Sequence, residues 1–187
     1  MSLLVSKAKK HDKDAFQQLM EQHEKAMYQV AKSILKNDDD AADAMQETIL
    51  TCWEKMDTLK KDRYFKTWLI RILINHCNAV FRQRMRSIEE DGIPEAWDQE
   101  EGYSNVEWES FLNCLDEKYR VLIMLYYVQG FKTREIADIL QINENTVRGR
   151  LVTARNKLKE QYIDDDKTTR KGKADRKTEL YVMERGL

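Results

Sequence analysis

Apolar positions recur in steps of three and four through Phe16, Leu19, Met20, His23, Met27, Val30, Ala31 and Ile34, the period of one helix face. The Asn37-Asp38-Asp39-Asp40 cluster ends this helix and offers side-chain oxygens to cap another. In that second helix, Met45, Ile49, Trp53 and Met56 share a side. A third stripe, Phe65, Trp68, Leu69, Ile72, Leu73, His76 and Val80, continues into basic residues ending near Arg86. Residues 87–106 break the period. They hold the only Pro, two of the six Gly and a run of acids, which predicts a linker.

Helical spacing resumes at Trp108, Phe111, Leu112 and Leu115 and continues through Leu122, Ile123, Leu125 and Tyr126 until Gly130 interrupts it. Thr133–Leu140 is a short amphipathic helix carrying Ile136, Ala137, Ile139 and Leu140. Gln141–Asn143 forms a turn, and a last helix aligns Val147, Leu151, Ala154 and Leu158. The tail, 164–187, is polar and charged up to Leu180-Tyr181-Val182-Met183 and is expected to be disordered. No segment alternates with the period of a strand. The predicted class is all-α, with small helical domains at 1–86 and 107–163 joined by a flexible acidic linker at 87–106.

Charge sharpens this division. The formal net charge of -1 conceals blocks of one sign. Between Lys60 and Arg86 stand Lys60, Lys61, Arg63, Lys66, Arg71, Arg82, Arg84 and Arg86 against the single acid Asp62. Glu89, Glu90, Asp91, Glu95, Asp98, Glu100 and Glu101 follow, then Arg148, Arg150, Arg155, Lys157 and Lys159. Two polyanion-facing surfaces separated by an acidic spacer account for this alternation. Cys52, Cys77 and Cys114 show no pairing or zinc spacing, and His11, His23 and His76 complete no ligand set, so no metal or cofactor is expected. No nucleophile–base pair or phosphate-cradling Gly loop points to an enzyme. Without an apolar signal core or membrane-length apolar run, the expectation is a cytoplasmic protein not itself inserted in a membrane.

The last two helices have the layout of a helix-turn-helix. At 100° per residue, Leu151, Ala154 and Leu158 fall within about 40° of Val147. Asn145, Gly149, Val152 and Asn156 occupy the opposite face, with Arg148 and Arg155 on one flank and Arg150 and Lys157 on the other. Short central side chains permit close approach to a major groove, while the flanking cations reach phosphates or guanine edges. Asn143 is placed to cap the helix. These residues, with Tyr119-Arg120-Val121-Leu122, Tyr126-Tyr127-Val128-Gln129-Gly130-Phe131 and Glu135-Ile136-Ala137, resemble region 4 of the extracytoplasmic-function sigma factors of bacterial RNA polymerase. The resemblance implies a reader of the promoter −35 element using Asn145, Arg148, Gly149, Val152 and Arg155. Gly149 stands where that family usually has Ser, and Thr153 where it often has a contact residue.

The N-terminal half is similar to region 2 of the same family. Ala41-Ala42-Asp43-Ala44-Met45-Gln46-Glu47-Thr48, followed by Trp53, resembles its polymerase-docking helix and implies core polymerase contacts through Asp43, Gln46 and Glu47. Phe65-Lys66-Thr67-Trp68-Leu69-Ile70-Arg71-Ile72, then Asn75, Arg82 and Arg84, resembles its −10 reader. Interleaved aromatics and cations suit an unstacked single strand, although the period assigns much of this stripe, Trp68 included, to the core. The implied −10 contacts are Leu59, Lys60 and Arg63 in the loop Asp57–Arg63, with Trp68, Arg71, Asn75 and Arg82. Asn75 has two readings, an amide that reads an extruded base edge or a buried, satisfied structural group. Ala79 departs from the Asp or Asn common in the family.

Together the resemblances imply a transcription initiation factor that binds core RNA polymerase and promoter DNA and is restrained by a membrane-anchored anti-sigma factor. A stand-alone helix-turn-helix regulator is the alternative. It explains the second half but leaves the Gln46-Glu47 helix idle.

Overall fold

The computed structural model describes residues 2–91, 112 and 114–168, and every regular element among them is helical. The linker acids beyond Asp91, together with Trp108, Phe111 and the tail from 169, lie outside the described residues. The chain divides into two compact units, the first holding the helices up to residue 91 and the second most of residues 114–168.

The first unit contains α1 (Ser2–Ala8), α2 (Lys13–Leu35), α3 (Asp38–Glu54) and α4 (Phe65–Asp91). Short 3-10 turns, Met56–Thr58 and Asp62–Tyr64, punctuate the connection before α4. Caps set the helix ends. Asp12 accepts from the Ala15 amide at 3.0 Å, and Asn37 accepts from the Asp40 amide at 2.9 Å. Asp38 fastens the start of α3 to the end of α2, accepting from Tyr28 Oη at 2.7 Å and Lys32 Nζ at 2.6 Å. The Lys32 hydrogen bond, then that of Tyr28, holds its carboxyl below the usual carboxylate range.

All eight apolar-stripe residues expected on α2 are buried. The next two helices differ from expectation. On α3 the inward face is Ala41, Ala44, Thr48 and Cys52, while Met45, Ile49 and Trp53 are only half-buried. Small side chains suit a helix packed closely against both α2 and α4. Trp53 contributes at the margin, with Phe16 and His11 edge-on to it at 5.0 and 5.2 Å. On α4 the buried set is Phe65, Leu69, Ile70, Leu73, Ile74 and Cys77, leaving Trp68, Ile72, His76 and Val80 half-buried. Each fully buried Leu or Phe contributes about 1.5–3 kcal/mol relative to exposure. Two cross-links tie α3 to α4: Thr51 Oγ1 to His76 Nε2 at 3.0 Å, and an ion pair between Arg84 and Asp40.

The boundaries also move. α1, which the apolar stripe did not signal, buries Val5 and Ala8 against α2, and α4 continues to Asp91, past the boundary set at 86. In the second unit, α5 (Glu117–Ile123) runs into a π-helical turn, Met124–Val128. Gly130, at φ 72, then releases the chain, a conformation that glycine adopts without strain. α6 (Thr133–Leu140) and α7 (Glu144–Thr168) follow, so helix extends into the segment 164–168 that was expected to be disordered. Arg120, Val121 and Leu122 of the sequence motif are buried, and the motif there specifies core.

Candidate nucleic-acid interface

The exposed side of α3 is continuous. Asp39, Ala42, Asp43, Gln46, Glu47 and Leu50 are all exposed at steps of three and four, opposite Ala41, Ala44, Thr48 and Cys52. Asp43, Gln46 and Glu47 therefore form one acidic and polar face, and Leu50, 57% exposed, adds an apolar end to it.

The loop before α4 is anchored from within. Met56 is fully buried and Leu59 is 4% exposed. Leu59 was expected at the contact surface; instead its side chain packs inside and fixes the loop. Lys60 and Arg63 stay exposed. Lys9 Nζ reaches Asp62 at 3.4 Å and braces the loop from the end of α1. Arg63 lies 4.7 Å above the Tyr64 ring and donates to its hydroxyl at 2.9 Å. Tyr64, 43% exposed, is a residue that sequence inspection passed over; an aromatic directly following a cation in this loop was the signal.

Along α4, Arg71, Asn75 and Arg82 are exposed and lie within about 40° of one another around the helix axis. No acid occurs between Arg63 and Ser87. Asn75 is thus a surface amide, and the buried structural reading of it is overturned. Trp68 is half-buried, tilted against Phe65 at 6.1 Å, a position consistent with core packing.

The turn of the helix-turn-helix is built by Gln141, at φ 55, and by the Ile142 amide donating to the Ala137 carbonyl at 3.1 Å. Asn143 caps α7, accepting from the Asn145 amide at 2.8 Å. Val147, Leu151, Ala154 and Leu158 are buried, and Asn145, Arg148, Gly149, Val152 and Asn156 are exposed, as the face arithmetic requires. Arg155 is half-buried and hydrogen-bonded to Tyr127, whose phenol is pushed up chiefly by burial. Arg148 is paired with Glu144 at 2.7 Å, and Lys157 with Asp116 at 3.3 Å. No helix among the described residues is long and apolar enough to cross a membrane.

Comparison with known proteins identifies the family. Residues 19–87 match the family Sigma-70 region 2, and residues 106–158 match Sigma-70, region 4. The RNA polymerase sigma factor CnrH of Cupriavidus metallidurans is 30% identical over 173 residues, spanning 83% of this chain and 91% of that protein. The ECF RNA polymerase sigma factor SigW of Bacillus subtilis is 28% identical over 179 residues, covering 86% of this chain and 95% of that protein. Among solved structures, the sigma factor RpoE in complex with the anti-sigma factor NepR from Bartonella quintana superposes with a TM-score of 0.67. It is 28% identical, over 78% of this chain and 94% of that one. The region 2 match falls on the part that a stand-alone regulator would leave idle, and nothing supports that alternative. The chain belongs to the extracytoplasmic-function sigma factors, the transcription initiation factors of RNA polymerase.

Proposed function

We propose that the two units divide promoter recognition. The first docks on core RNA polymerase through Asp43, Gln46 and Glu47 on α3 and captures the −10 strand with Lys60, Arg63, Arg71, Asn75 and Arg82. The second reads the −35 duplex with Asn145, Arg148, Gly149, Val152 and Arg155 on α7. Leu59 and Trp68 serve as supports beneath the −10 surface, Leu59 being buried and Trp68 half-buried.

The observation that carries this assignment is the exposed, acid-free line Arg71, Asn75 and Arg82 beside the cation-bearing loop. Cations neutralise phosphates, and an amide offers one donor and one acceptor to a base edge. Run-off transcription with purified core polymerase, on the region upstream of the protein's own gene, is the test. The wild-type chain should initiate there, and a charge reversal at Glu47 should abolish polymerase capture without unfolding the chain. Capture unaffected by reversals at both Asp43 and Glu47 would remove α3 from the docking surface.

The chain is also proposed to be held by a membrane-anchored anti-sigma factor. In support, the relative RpoE was solved in complex with an anti-sigma factor. Affinity capture from cells should then recover a membrane protein besides polymerase subunits. Recovery of polymerase alone, before and after induction of the target promoters, would exclude it.

A further inference from the structure

Glu144 opens α7, and its carboxylate is shared between two helices. Oε1 accepts from the Thr133 hydroxyl at 2.8 Å and from Arg148 Nη2 at 2.7 Å. Thr133 is the first residue of α6, and Arg148 lies one turn along α7. The carboxylate thus runs from the leading helix of the helix-turn-helix to a cation of the reader helix. Glu preceding Arg by four positions is the favourable order on a helix. Thr133 first, then Arg148, holds the Glu144 carboxyl below its usual range, so it is ionised at neutral pH.

This arrangement limits what Arg148 can do. The side chain of Arg148 is 63% exposed, and only one of its nitrogens is engaged by Glu144. A free guanidinium on a flexible arm binds any phosphate within reach. One tethered at a single nitrogen presents its remaining N–H groups in a fixed direction, as a paired acceptor on a base edge demands. The negative charge beside it also repels phosphate. We infer that Glu144 is a positioning residue that aims Arg148 at a base edge and away from the phosphate backbone, so that it sets −35 discrimination rather than affinity. This rests on the proposed reading of α7 as the −35 reader.

The test uses holoenzyme assembled from core polymerase and the full chain, on templates with matched and scrambled −35 elements. Glu144→Ala should lower the ratio of initiation on the two templates about three- to fivefold, mainly by raising initiation on the scrambled one. Glu144→Gln keeps the side-chain shape and helix fit but loses the charge, and it should move the ratio in the same direction if the alanine variant misfolds. The deciding measurement is the same substitution made with Arg148→Ala, where Glu144 should no longer matter. An equal effect with and without Arg148 would mean that Glu144 merely supports the helix junction, and so would equal loss on both templates. Either result overturns the inference while leaving the −35 assignment intact. If Arg148→Ala alone leaves the ratio unchanged, the assignment of Arg148 fails first, and the inference fails with it.

Discussion

The cations proposed as DNA contacts on α4 and on α7 are handled in opposite ways, although Arg84 of α4 is itself paired with Asp40. Arg71 and Arg82 form no ion pair among the described residues, whereas Arg148 is paired with Glu144, Lys157 with Asp116, and Arg155 is hydrogen-bonded to Tyr127. A melted strand is flexible and can adjust to hydrated, mobile cations, so leaving them unpaired costs little and keeps the attraction strong. Base edges in a duplex are rigid. A side chain that must meet one gains from being held in place beforehand, because the ordering cost is then met during folding. The contrast therefore fits the proposed single-strand capture in the first unit and the proposed duplex reading in the second.

The largest effect should follow Asn75→Ala. Loss of a base-edge contact and of base capture should reduce open-complex formation on duplex promoters about tenfold to hundredfold. Asn75 is exposed, so the melting temperature should barely change. Permanganate footprinting on duplex and pre-melted templates checks this. A defect of equal size on both would show that the amide does not drive strand capture.

Next come Arg148→Ala and Arg155→Ala, each expected to cost about 1–3 kcal/mol on matched −35 elements, with relaxed preference at one position. Core polymerase binding should be untouched. Equal losses across scrambled elements would turn both residues into phosphate contacts and erase the contrast with α4.

A smaller effect separates the two surfaces by salt. Arg71→Ala should reduce the log–log salt slope of −10 strand binding by about 0.7, the increment for one phosphate on a single strand. Arg148→Ala should change the slope of duplex binding by less than the corresponding full charge, since Glu144 already offsets it. Titration of holoenzyme binding across potassium concentrations would test both, and equal slopes would remove the distinction.

How far these surfaces were legible in the sequence depends on what packs beneath them. α2 and α7 could be read from spacing alone, because each turns one stripe of apolar side chains inward. α3 misled because its inward face is Ala41, Ala44, Thr48 and Cys52, residues that weigh little in a hydrophobic pattern. α4 contacts both α2 and α3, so its buried sector is wide and the stripe running through Trp68 and Ile72 was displaced. Leu59 was misplaced for a related reason. An apolar residue in a contact loop looks available, yet it is the side chain that holds the loop down. The pairing of Glu144 with Thr133 depends on the angle between two helices, which residue spacing does not encode.

Acidification should also separate the units, by a few degrees of melting temperature at most. His11, His23 and His76 all precede the linker. Burial lowers the His23 pKa from its usual 6.5, with Lys66 acting in the same sense and the Leu19 carbonyl, 2.8 Å from Nδ1, in opposition. Below the unfolded value, the unfolded chain takes up a proton that the folded one refuses. The first unit therefore has its full stability above about pH 7 and loses some as pH falls through 6.5 toward the folded value. Segment-resolved hydrogen exchange should show α2 and α4 opening more readily at pH 5.5 than at pH 7.5, and less difference in a His23→Gln chain. Equal acid sensitivity in α7 would assign the effect to carboxylates instead.

The smallest effect concerns Gly149, at the centre of the exposed face of α7. A Cβ there meets nothing within 4 Å, so in the free chain Gly149→Ala is sterically neutral. It should stabilise the helix by up to about 1 kcal/mol, because glycine is a poor helix former. A helix position that forgoes this gain without any internal crowding points outward for its reason. If the backbone at Gly149 approaches the duplex closely, alanine should raise the melting temperature of the second unit and yet weaken −35-dependent initiation severalfold. No such penalty should appear for Ala79→Ser on the exposed side of α4, where long side chains rather than the backbone would meet the strand. Thermal melts beside run-off transcription on matched templates measure both quantities. A stabilised Gly149→Ala chain that initiates as well as wild type would mean that α7 stands off from the groove, with Arg148 and Arg155 reaching across the gap.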